Sequence, residues 1–213
     1  MGSLLRVEAD REFMLDLRRP LPSLRPPTGV TIAPATPEQV LDVVQLRRRE
    51  ANDDRAVLYR DRLQRGQKCF VAAIDGEVVG CNWTCFGTEP DGSLVYELGS
   101  DEVLTADAYT SVAHRGRSIH AALLHAMLAW AQQAGYARAY TYRTLGNPAP
   151  FKALRLLNWQ PTGGLRYIVL SSSWLYRCTG RRYELVFDVR RGPPVAPGPI
   201  LRRVPAIDPA GIC

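Results

Sequence analysis

Between Asp107 and Leu124 the chain reads as a strand, a tight basic turn and the start of a long helix, and this stretch limits the fold more than any other. Ile119, Ala122, Leu123, Ala126, Met127, Trp130, Ala131 and Ala134 recur at helical spacing and define one apolar face. Gly135 is placed to end the helix in a left-handed conformation, with Tyr136 packing back on the last turn. At the front, Arg115-Gly116-Arg117-Ser118 leads into a helix whose first N–H groups have no acceptor inside it. Those N–H groups, the positive end of the helix dipole and two arginines converge on one spot, which describes a phosphate site. Strand–glycine turn–helix units are common in α/β proteins, so the arrangement needs support from the rest of the chain.

A chain of 213 residues suits one domain with a substantial core. No run approaches the roughly 20 apolar residues that span a bilayer, so no membrane role is expected. The start lacks a basic-then-apolar leader, and Arg6 stands where a myristoylation pattern needs Ser or Thr. A cytoplasmic location is the expectation. The net charge of +6 rests on arginine, Lys68 and Lys152 being the only lysines. Such a balance suits a polyanionic partner, a nucleotide cofactor or a nucleic acid. Without a concentrated basic helix or an aromatic RNA-binding strand, nucleic acid is the minor reading. Five cysteines, an odd number, argue against a disulfide framework. Cys81 and Cys85 fall four apart on an expected strand, about 13 Å from each other. They read as buried thiols.

Residues 1–28 read as an N-terminal arm in which Phe13, Leu15 and Leu17 permit an edge strand before Pro20, Pro22, Pro26 and Pro27. A first strand follows at Gly29–Pro34. Thr36-Pro37-Glu38-Gln39 opens a helix with a capping box and proline at its first position. Val40, Val43, Val44 and then Arg47 continue one face of it, and Asp53 or Asp54 is placed to cap a second helix running to Leu63. Asp75-Gly76 between two apolar runs marks a hairpin, and Pro90-Asp91-Gly92 a further turn. Leu94–Leu98, Val103–Val112 and Ala137–Arg143 read as strands. Asn147 and Pro148 open a short helix with Phe151, Leu154 and Leu157 as its buried stripe, ended by Asn158. Trp159 begins another strand, interrupted by Gln160–Gly164, and Tyr183–Asp188 is the last. Residues 191–213 read as an irregular proline-rich tail. The order predicts an α/β fold with a mixed, mostly antiparallel sheet flanked by helices.

The stretch Arg115, Gly116, Arg117, Ser118, Ile119, His120 resembles the coenzyme A motif of the GNAT acyltransferase superfamily, Arg/Gln-x-x-Gly-x-Gly/Ala between a strand and a helix. Ser118 and His120 stand at its two glycine-type positions. A second pattern of that family, Asn-x-x-Ala-x-x-x-Tyr-x-x-x-Gly-Phe, keeps its spacing at Asn147, Pro150, Leu154, Asn158 and Trp159. The resemblance covers about residues 29–190. It implies an acyl-CoA-dependent N-acyltransferase, with acetyl-CoA as co-substrate and a small primary amine as acceptor; a homodimer is compatible with it. It further implies that the turn amides from Arg115 to His120 cradle a diphosphate. The backbone around Tyr109, Thr110 and Val112, freed by a bulge, would then bind the pantetheine arm, with Asn147 also at the cofactor.

Asp107 lies eight residues before Arg115 and is the first candidate for the base, with Glu102 and Glu97 upstream. Leu154 stands where the family often has a tyrosine acid, which leaves Tyr109, Tyr140, Tyr142 or water. His120 is aimed at the phosphates, whereas His114 and His125 read as surface residues. A non-catalytic acyl-CoA-binding module is the competing expectation, favoured by the two glycine replacements and the missing tyrosine.

Overall fold

A computed structural model describes residues 5–91, 94–144, 149–170, 173–179, 183–186 and 200–203. In chain order the strands are β1 (Leu5–Asp16), β2 (Thr31–Pro34), β3 (Lys68–Ile74), β4 (Glu77–Cys85), β5 (Thr88–Asp91), β6 (Leu94–Glu97), β7 (Glu102–Thr110), β8 (Arg138–Thr144), β9 (Gln160–Leu170), β10 (Ser173–Thr179), β11 (Tyr183–Val186) and β12 (Ile200–Arg203). The helices are α1 (Pro37–Ala51), α2 (Ala56–Gln64), α3 (Ile119–Gln133) and α4 (Ala149–Leu156). Eight strands form one sheet in the order β10-β9-β1-β8-β7-β4-β3-β2, and β11-β12-β6-β5 form a second.

Local chemistry explains the elements that position the site. Thr36 accepts from the Gln39 N–H, and the Gln39 side chain accepts from the Thr36 N–H, so the capping box at the start of α1 is complete. The Ala56 N–H donates to Asp54 at 2.9 Å at the start of α2. Asp75 and Gly76 both take positive φ, as the two-residue turn between β3 and β4 requires. Asn52 ends α1 and Asn158 follows α4, each in the left-handed region that asparagine tolerates. α3 buries a wider face than its spacing suggests: Ala121, Leu124 and Leu128 are buried, and Ala134 is exposed. The reason is that α3 lies across the sheet with α4 alongside, so two flanks are covered.

Helices cover both faces of the large sheet. Val40, Val43 and Val44 of α1 and Tyr59 of α2 pack on Val71, Cys81, Trp83, Leu104 and Tyr140. On the other face Ile119, Leu123, Leu124, Met127 and Leu128 of α3 meet Phe70, Val79, Phe13, Leu15 and Val103. Cys69, Cys81 and Cys85 are buried free thiols.

Three expectations are corrected. The segment read as an arm with an edge strand supplies β1, an interior strand paired antiparallel with β8 on one side and β9 on the other. Alternation of Phe13, Leu15 and Leu17 suits either place. The partners that decide it lie more than a hundred residues away. The Gln160–Gly164 stretch does not interrupt its strand; β9 runs through it with a register shift opposite Glu12 and Phe13, which absorbs the extra residue as a bulge. The tail is not wholly irregular, because Ile200–Arg203 forms β12, parallel to β6 and antiparallel to β11. The turn at Gly92 and the start of the short helix at Asn147 and Pro148 lie outside the described residues, as does the side chain of Phe151.

The position of β1 has a consequence for truncation. Removing residues 1–17 takes the buried side chains of Phe13, Leu15 and Leu17 out of the core, at roughly 1.5–3 kcal/mol each. It also opens the sheet between β8 and β9. The sum matches the whole stability of an ordinary domain, about 5–15 kcal/mol. The shortened chain is expected to lose its cooperative thermal transition in circular dichroism, whereas loss of a mere arm would leave that transition in place.

Candidate functional site

The site begins where β7 and β8 part. Their parallel pairing covers only Glu102–Leu104 against Arg138–Tyr140. Beyond it β7 continues on β4 alone and β8 on β1, so a gap opens toward the carboxyl ends of both strands. Just beyond the last pair, β7 carries a bulge. Ala106 pairs with Trp83 and Tyr109 with Cys81, which leaves Asp107 and Ala108 facing the single residue Asn82. Asp107 sits at φ 56°, a left-handed conformation in mid-strand that costs a non-glycine residue on the order of 1 kcal/mol.

Two buried arginines hold this turn of the chain. Arg47 of α1 donates to Asp107 at 2.9 Å and Arg62 of α2 donates to its other oxygen at 3.1 Å. Arg47 also grips Asp53, and Arg62 donates to Glu89 at 2.7 Å. Arg62 and Glu89 are 1% and 0% exposed. Charges so far from water are tolerated because each meets an opposite charge in hydrogen-bonding geometry. Burial pulls the Arg47 guanidinium pKa down, yet Asp107, Asp53 and the other neighbouring groups together outweigh it and leave the pKa raised.

α1 grips β7 a second time one turn later. Glu50 accepts from the Tyr109 hydroxyl at 3.1 Å, the Ser111 hydroxyl at 2.7 Å and the Val112 N–H at 2.8 Å. Burial works to raise the Glu50 carboxyl, but these donors, the Val112 N–H foremost, hold it below its ordinary value. Arg115 donates to the Thr110 carbonyl at 3.2 Å, and both Arg47 and Arg115 lie over the Tyr109 ring. Gly80, opposite Thr110, lets the strand exit approach closely: a Cβ there would stand 3.0 Å from the Tyr109 carbonyl oxygen.

The turn follows directly. Val112–His114 makes one 3-10 turn, Gly116 takes φ 79° and Ser118 φ 62°, and α3 starts at Ile119. Ser118 makes no side-chain cap, so the opening N–H groups of the helix receive no bond from it. Arg115, Gly116, Arg117 and Ser118 are exposed, His120 is half-buried and Ile119 is in the core. Arg117 lies 2.9 Å from the His114 ring.

The structure therefore brings Asp107, Tyr109, Thr110, Val112 and Arg115–His120 into one continuous strand exit and turn. Glu102 stands apart. It is 1% exposed at the far end of β7, where it accepts from the Tyr140 hydroxyl and the Gly99 N–H and pairs with Arg138. Asn147 lies outside the described residues. Sequence reasoning missed Glu50, Arg62 and Glu89. For Arg47 a signal was present, since a charged residue continued the apolar face of Val40, Val43 and Val44.

The sequence matches the acetyltransferase (GNAT) family over residues 38–151, more than half of the chain. The chain belongs to the GNAT family of acetyltransferases. Among solved structures, a putative GNAT acetyltransferase from Novosphingobium aromaticivorans is 15% identical with a TM-score of 0.55, covering 76% of this chain and 63% of that one. A GCN5-related N-acetyltransferase from Sphaerobacter thermophilus is 15% identical with a TM-score of 0.51, covering 77% and 51%. A tandem GNAT protein from the clavulanic acid biosynthesis pathway is 18% identical with a TM-score of 0.56, covering 82% and 55%. At these identities the likeness is one of fold. The chain spans about half to five-eighths of the length of these three structures. No curated protein is similar to it in sequence.

The grip on the bulge can be measured. Asp107→Ala leaves two buried guanidinium groups short of a partner and is expected to cost about 3–5 kcal/mol in urea unfolding. Asp107→Gly relieves the φ of 56° and should cost about 1 kcal/mol less. Acid should loosen the same region. At Asp53 burial acts to raise the carboxyl, but Arg47 and Arg55 hold it below its usual value. Its contribution is thus present above the unfolded carboxylate pKa, about 4, and is lost as pH falls through the lower folded value. Stability followed below pH 4 should drop less steeply in Asp53→Asn than in the parent.

Proposed function

We propose that the protein is an acyl-CoA-dependent N-acyltransferase that transfers an acetyl group to a small primary amine. The observation that carries this reading is the parting of β7 from β8 at a bulge, immediately before an uncapped helix start flanked by two arginines. A pantetheine arm needs an open strand edge to run along, and a diphosphate needs converging N–H donors. Both lie here on one piece of chain.

The residues present fit acyl-CoA. Ser118 already takes the left-handed conformation that the motif asks of glycine, with its side chain exposed. In this reading the amides from Gly116 to His120 hold the diphosphate, with Arg115 and Arg117 adding charge. The backbone of Tyr109, Thr110 and Val112 orients the pantetheine arm by hydrogen bonds, Val112 through the N–H that donates to Glu50 in the free protein. The bulge at Asp107 and Ala108 takes one residue out of the ladder register, and a backbone N–H freed there would serve the thioester carbonyl, where developing negative charge needs a donor. Holding thioester and amine together supplies the entropic part of the rate. Asp107, paired with two arginines, serves by fixing the bulge and is not the proton acceptor. Glu102 fixes the base of β7.

Binding without transfer is the second reading. It is favoured by Leu154, which is buried in the core between α3 and α4 where the related pattern carries a tyrosine. Release of free thiol from acetyl-CoA across a panel of amines separates the two, since binding without turnover on any amine would leave only the module.

Charge reversal tests where the cofactor sits. Arg117→Glu is expected to weaken coenzyme A binding tenfold or more, at about 1.4 kcal/mol per decade, by calorimetry. Unchanged affinity would remove the diphosphate from this turn.

A further inference from the structure

Glu50 places an internal anion beside a turn suited to an external one. Its carboxylate takes the Val112 N–H at 2.8 Å, three residues before Arg115, together with the hydroxyls of Tyr109 and Ser111. An N–H makes one strong bond at a time, and two anions close together repel. An acyl-CoA lying along this strand exit therefore competes with Glu50 for the same donors. The two grips of α1 differ in how easily they yield. The Arg47–Asp107 pair is buried, whereas Glu50 is half-buried and Val112 exposed. The second grip can open while the first keeps the bulge in place. Glu50 also belongs to the helix that covers the face opposite α3, and its carboxylate lies at the exit of β7, within a few residues of the bulge at Asp107 and Ala108.

We propose that Glu50 is the acceptor-side carboxylate of the transfer reaction, parked on the Val112 N–H until acyl-CoA displaces it. This rests on the acyltransferase reading above. Once displaced, a Glu50 oxygen takes a proton from the acceptor ammonium. The nitrogen lone pair then forms the bond to the thioester carbonyl carbon, and the carbon–sulfur bond breaks with its electron pair going to sulfur. The nitrogen loses two protons in all. One ends on the departing sulfur and the other reaches solvent. Binding is consequently ordered, with acyl-CoA first and the amine second, because the carboxylate is masked until the cofactor arrives.

Glu50→Gln keeps the shape of the side chain and removes its charge. Calorimetry with coenzyme A is expected to show affinity raised about tenfold, since the competitor is weakened. Turnover on an accepted amine should fall about a hundredfold. Glu50→Asp keeps the charge on a shorter stem that no longer reaches Val112. It should bind coenzyme A as tightly as Glu50→Gln while retaining turnover within tenfold of the parent. Thermal unfolding of both variants checks that they fold. Affinity and turnover falling together in Glu50→Gln would mean that the residue only braces the strand, and would overturn the proposal. Unchanged affinity would also overturn it, since nothing was then displaced. Wild-type protein that binds coenzyme A but transfers to no amine sinks the acyltransferase reading and the proton step with it; the affinity of Glu50→Gln still decides the parking.

Discussion

The double ion pair of Asp107 with Arg47 and Arg62 is the interaction on which the site depends. A bulge in a strand that has lost one neighbour is not held by the ladder on its open side. Here α1 and α2 replace the missing neighbour, each sending one arginine to a different oxygen of one carboxylate. Arg47, Arg55, Arg62 and Arg65 are linked with Asp53, Asp61, Glu89 and Asp107 in one network of equal and opposite charge, which lets its innermost members stay in the interior. The specificity of such a cluster lies in its geometry, because apolar groups of equal volume would fill the space without fixing the backbone at Asp107.

Seen this way, α1 is a splint. Arg47 fixes the bulge and Glu50 fixes the exit of the strand, and the backbone from Ala108 to Thr110 is suspended between them. The segment keeps its open edge because side chains from a helix hold it. The close approach of Gly80 to the Tyr109 carbonyl serves the same end from the β4 side.

Much of this was legible in the sequence, for reasons that are local. The capping box of Thr36 and Gln39, the Asp75-Gly76 turn and the left-handed Asn158 are decided by neighbouring atoms, and the residues announce them. The strand–turn–helix from Asp107 to Leu124 was legible for the same reason, and with it the family. The bulge was not, since Asp107 looks like any other carboxylate on a strand until its two arginines are folded against it. Its assignment as a base followed from position alone. Glu50 escaped notice because it lies within the mixed-charge stretch from Arg47 to Arg55, which is indistinguishable, in one dimension, from a solvated helix end and loop. The interior place of β1 was hidden because its partners are set by long-range pairing.

That pairing also sets a timetable for the nascent chain. β1 leaves the ribosome well before its neighbours, since β8 begins only at Arg138 and β9 at Gln160. At 5–20 residues per second, on the order of ten seconds pass before any partner exists. During that wait a β-strand with Phe13, Leu15 and Leu17 on one side is available to chaperones, or to the same strand of a neighbouring polypeptide on the polysome. The sheet can close only by threading β1 between two strands made more than a hundred residues after it, a high-contact-order step that makes assembly slow and leaves β1 unpaired meanwhile.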